Sequence, residues 1–101
     1  MTDKEKIRAD IWHSAYELSE DVKMNKGYYH IVERLCLCVN HKGDAAIGWI
    51  EVDGDDVDCC SPHLISTLLL AGVYYYAYID ELFPQKLADE IKRNIMNDKS
   101  Y

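Results

Sequence analysis

Two cysteine–histidine patterns are the part of the sequence whose residue types could do chemistry. They follow the spacings Cys-x-Cys-x2-His and Cys-Cys-x2-His, and their members are Cys36, Cys38, His41, Cys59, Cys60 and His63. Thiolates and imidazoles are ligands that zinc prefers, so the two patterns could form one site if they converged. However, structural zinc sites usually separate paired cysteines by two to four residues. We therefore expect buried, reduced cysteines, no metal site and no cofactor.

A second chemical use of these residues would pair Cys60, as a nucleophile, with His63 as its base. A thiol at a helix N-terminus is shifted toward the reactive thiolate, but the acidic residues that precede it in the chain shift it back. The sequence contains no serine-nucleophile elbow, phosphate-binding loop or dinucleotide-binding fingerprint. We therefore predict a protein without enzymatic activity.

Acidic side chains are concentrated in one stretch, which we call the acidic segment. Its members are Asp44, Glu51, Asp53, Asp55, Asp56 and Asp58. Residues 42–81 contain eight acids and one base, so this part of the chain carries the whole net charge of −7. An EF-hand calcium loop does not fit, because glycine comes directly after the first aspartate of the run Asp-Gly-Asp-Asp. The segment is either a solvated acidic turn or a surface that recognises a basic partner.

This charge balance bears on the class of partner. Affinity for nucleic acid depends on Lys and Arg side chains that displace counterions, so direct DNA or RNA binding is not expected. A partner protein with a basic surface, of the kind that normally holds nucleic acid, fits better. Small acidic inhibitors with this mode of action include phage anti-defence proteins, of which anti-CRISPR proteins are one group. The sequence thus predicts an inhibitor or adaptor within a functional class, without a family resemblance.

The chain is long enough for one domain with a single core, so we expect its 101 residues to fold as one unit, 1–101. Hydrophobic residues make up 49% of it, a content that is ordinary for globular proteins and argues against disorder. The N-terminus lacks the apolar stretch of a secretory signal. This indicates a cytoplasmic protein whose thiols stay reduced.

The elements that must position these side chains are predicted from periodicity, and the predicted class is α+β. Thr2 and Glu5 have the spacing of a capping box, which marks the start of a helix. Apolar residues then recur every three or four positions as far as a glycine stop at Gly27. Together these features predict a first helix over residues 3–25.

The pattern then changes toward alternation, which is typical of strands. The Asp53-Gly54 dipeptide is a strong hairpin signal. We therefore predict an antiparallel hairpin or meander of two or three strands over about residues 29–60, with residues 55–60 as an edge strand. A helix remains the alternative for residues 28–35, where the apolar positions also fit a helical face.

Residues 59–79 contain no Asp, Glu, Lys or Arg, in a chain that is 29% charged. This length would suffice for a membrane span, but the flanks are acidic rather than basic, and the four tyrosines would lack partners in lipid. We therefore predict no membrane contact and a central core helix over residues 62–83 that begins at Ser61-Pro62. A C-terminal helix over residues 84–97 follows.

Two tyrosines of the predicted central helix suggest a second kind of interface. If residues 62–83 form a helix, Tyr74 and Tyr78 lie on the side opposite its apolar stripe. If the first and last helices cover this side, the two tyrosines belong to the core. If they leave it exposed, the pair would contribute to partner binding, because exposed tyrosines are enriched at protein interfaces. The alternative to an inhibitor or adaptor is a homodimeric structural or regulatory module that associates through this helix.

Overall fold

A computed structural model describes residues 11–63 and 67–96 of the chain. In chain order, its elements are β1 (His13–Ser14), α1 (Ala15–Asn25), β2 (Tyr29–Asn40), β3 (Ala45–Asp53), β4 (Asp56–Cys60), β5 (Leu68–Leu70), β6 (Val73–Tyr78), α2 (Ile79–Leu82) and α3 (Gln85–Met96). The strands form one sheet in the order β1-β6-β2-β3-β4-β5, and every neighbouring pair is antiparallel. Strands account for 45% of the described residues and helices for 33%, so the architecture is mostly sheet.

The sheet must curl, because β5 and β6 are consecutive strands that lie four positions apart in it. In a flat sheet, four strand spacings would separate them by roughly 19 Å. The chain from Leu70 to Val73 can span only about 11 Å. Helix α1 contacts β2, β3, β4 and β6, which indicates that the sheet curls around this helix.

Each face of the sheet has its own hydrophobic layer. The layer beneath α1 is formed by Ala15, Val22, Cys36, Cys38, Ile50, Val52, Val57, Cys59, Leu70, Val73 and Tyr76. The layer beneath α2 and α3 centres on Leu35, Ile79 and Ala88, against which Leu37, Ile47, Trp49, Phe83, Ile91 and Ile95 pack. Successive residues of a strand point to opposite faces, so β2 supplies cysteines to one layer and leucines to the other.

The first helix is shorter than predicted within the described residues. Helix α1 begins at Ala15, and the Ser14 hydroxyl caps it by accepting a hydrogen bond from the Glu17 backbone N–H at 3.3 Å. His13 and Ser14 instead pair with β6 as a two-residue edge strand, which ends the helix on that side. The helix ends at Asn25, as predicted, and the capping box and residues 3–10 lie outside the described residues.

The predicted central helix over residues 62–83 is wrong. Its described part consists of β5, β6 and the four-residue helix α2, while residues 64–66 lie outside the described residues. Gly72 has a φ of 66° and forms the turn between the two strands. Strand β6 has buried side chains on both faces, which suits an uncharged run: Tyr76 is buried beneath α1, and Ala77 is fully buried on the opposite face.

The prediction of a two- or three-stranded sheet is also wrong, because the sheet has six strands. Residues 29–60 do contain three antiparallel strands, β2 to β4, and the alternative helix over residues 28–35 is absent. Strand β4 is not an edge strand, because Cys59 and Cys60 pair with β5. The C-terminal helix agrees with its prediction, since α3 runs over Gln85–Met96.

No helix among residues 11–63 and 67–96 is long and apolar enough to cross a membrane. The fold of residues 1–101 as one domain stays a prediction.

Candidate functional site

The cysteines lie in the interior of the fold and not at an open site. Cys36, Cys38 and Cys59 lie in the layer beneath α1 with no exposed surface, and Cys60 is buried against the opposite face. Gly48 makes room for them, because a Cβ atom there would lie 2.9 Å from the Cys59 sulfur and would overlap the Cys60 carbonyl oxygen. All four thiols are free.

Burial makes these thiols poor nucleophiles. It raises the pKa of Cys36 to about 12 and that of Cys60 to about 11, because a thiolate in apolar surroundings loses its hydration. A hydrogen bond with Cys59 and burial raise the pKa of Cys38, and the same hydrogen bond lowers the pKa of Cys59. At neutral pH Cys36, Cys38 and Cys60 are protonated and pack as small hydrophobic groups.

The two histidines of the sequence patterns are engaged elsewhere. The His41 ring stacks on Tyr74 with 4.0 Å between ring centroids. His63 Nε2 lies 2.5 Å from the backbone oxygen of Ile95, which accepts its hydrogen bond. Within the described ranges, no group of three or more His, Cys, Asp or Glu residues is placed to hold a metal ion. The structure therefore does not bring the six candidate ligands together, and the absence of a cofactor stays a prediction.

The β3–β4 hairpin places four carboxylates in two facing pairs, which we call the acidic hairpin face: Glu51 opposite Asp58, and Asp53 opposite Asp56. The hairpin closes through Gly54, whose φ of 63° suits the first central position of a two-residue turn. Directly opposite residues have Cβ atoms about 4.5–5.5 Å apart, and like charges at that distance destabilise a sheet. The register thus holds four negative charges together against their mutual repulsion.

Neutral donors orient two of these carboxylates without cancelling their charge. The Tyr29 hydroxyl donates to Glu51 Oε2 at 2.6 Å, which raises the pKa of Tyr29 to about 12. The Gly72 backbone N–H donates to Asp58 Oδ1 at 3.0 Å. In the described part of the chain, no Lys or Arg forms an ion pair with any of the four.

The hairpin turn is the one part of the acidic segment that has a cationic partner within the described residues. Lys23 Nζ lies 2.5 Å from Asp55 Oδ1 and 2.8 Å from Glu20 Oε2, so this ammonium group bridges α1 and the turn. These hydrogen-bonded carboxylates raise the pKa of Lys23 well above its usual range. Both contacts are largely exposed, and such pairs contribute little to stability.

Asp44 does not belong to this surface. It lies in the turn between β2 and β3, where its backbone N–H donates to Asn40 Oδ1 at 2.9 Å. Strand β3 separates it from Asp53 by nine residues, or roughly 30 Å. The structure therefore gathers five of the six acidic residues at one end of the β3–β4 hairpin and leaves Asp44 at the other.

The two tyrosines predicted on the back of a helix lie on strand β6 instead. Tyr74 is 43% exposed and stacks with His41. Tyr78 is half-buried beneath Arg34, whose guanidinium carbon lies 3.7 Å from the ring centroid. The predicted helical tyrosine pair is therefore wrong, although Tyr74 does remain at the surface.

An open groove joins Tyr74 to the acidic end of the hairpin. It is lined by residues of α1, β4 and β6 and of the turns beside them, and its volume is about 830 Å³. Its lining residues include Tyr16, Glu20, His41, Asp55, Asp56, Asp58, Gly72 and Tyr74. Sequence reasoning missed Tyr16 and Glu20, although their i,i+4 spacing places both on one face of a helix.

Comparisons with known protein families, characterised proteins and solved structures gave no match to this chain.

Proposed function

We propose that this chain is a non-enzymatic binding protein, an inhibitor or adaptor that engages a basic surface of a partner protein through the acidic hairpin face. The observation that carries this proposal is the presence of two facing pairs of carboxylates, Glu51 with Asp58 and Asp53 with Asp56. Such an arrangement destabilises the isolated hairpin, and cationic side chains from a partner would relieve the repulsion.

The rigidity of the hairpin supports this proposal. Its apolar side is anchored in the core by Ile50, Val52 and Cys59, each of which has no exposed surface. A face held in this way presents its charges without losing conformational freedom on binding, which favours affinity. Fixed carboxylates would compete with phosphates for the same Lys and Arg side chains, so a nucleic-acid-binding surface is the partner class that fits best.

The test is affinity capture from an extract with an Asp53→Asn/Asp56→Asn double variant beside the unmodified protein. The unmodified protein should retain a basic partner at about 0.1 M salt and lose it at about 1 M, where the screening length falls from about 10 Å to about 3 Å. The double variant should retain at least tenfold less, and double-stranded DNA should displace the partner.

The matched control is Asp44→Asn, which removes one charge at the far end of β3. It should leave retention unchanged, because Asp44 lies outside the acidic hairpin face. Retention that is insensitive to salt, or that is reduced equally by the control, would contradict the proposal.

A further inference from the structure

We draw no further inference here: the strongest candidate, the open groove beside α1 whose wall carries the exposed rings of Tyr16 and Tyr74, carries none, because nothing in the described part of the chain shows what covers it.

Discussion

The two sides of the β3–β4 hairpin differ in whether the fold provides favourable contacts for their side chains. On the side beneath α1, Ile50 and Cys59 are fully buried in a layer of apolar side chains and thiols. Their immediate neighbours Glu51 and Asp58 point the other way and face each other as like charges. Folding accounts for the first side but opposes the second, and the proposed function would give these carboxylates their role.

The largest change in stability is expected for the Ile50→Ala variant. Ile50 has no exposed surface, so its truncation should lower the free energy of unfolding by about 2–5 kcal/mol. Chemical denaturation measures the change. Glu51→Gln, one residue along the strand, is the matched control and should change stability by less than about 1 kcal/mol. Similar losses for both variants would remove the distinction between the two sides.

An intermediate effect should come from the buried thiols at alkaline pH. Burial raises the pKa of Cys36 from its ordinary value of 9.0 to about 12, so the folded state keeps a proton that the unfolded chain releases. The stabilisation is complete below pH 9 and is lost as the pH rises toward 12, by roughly 1.4 kcal/mol per pH unit for one thiol.

Denaturation midpoints between pH 8 and pH 10.5 measure this slope. The Cys36→Ala variant is less stable at neutral pH, but its stability should fall less steeply with pH, because the contribution of one thiol is missing. An unchanged slope would mean that folding does not raise the pKa of Cys36.

The smallest expected effect is a gain in stability rather than a loss. Asp56→Asn removes one member of a facing pair and should raise the free energy of unfolding by a few tenths of a kcal/mol. The gain should vanish at about 1 M salt, where the screening length is about 3 Å. Loss of stability in low salt would show that the pair is not repulsive. A more stable variant that binds its partner less well is the result expected of a surface devoted to binding.

Part of this structure could be predicted locally. The alternating pattern over residues 29–60 and the Asp53-Gly54 signal indicate strands and a turn without knowledge of the rest of the chain, because each reflects backbone geometry. The apolar spacing after Pro84 likewise predicts α3. The concentration of negative charge between residues 42 and 81 is a property of the sequence alone.

The candidate site was predicted less completely. Five acidic residues do lie at one end of the hairpin, but their facing arrangement follows from the register, which sets Glu51 against Asp58. Tyr16 and Glu20 join the groove because α1 packs against both β4 and β6. Asp44 is close to the others in sequence and distant in space, since a full strand separates it from them.

By itself, the sequence determined the charge, the strands of residues 29–60 and the last helix. Only the tertiary structure decided the segment between residues 62 and 83. An uncharged run has no polar face, so its periodicity cannot distinguish a buried helix from buried strands. Here the turn at Gly72 and the pairing of β6 with β2 place the run in the sheet, with Tyr76 and Ala77 buried on its two faces. The same curl of the sheet opens the groove in which Tyr74 meets Asp58.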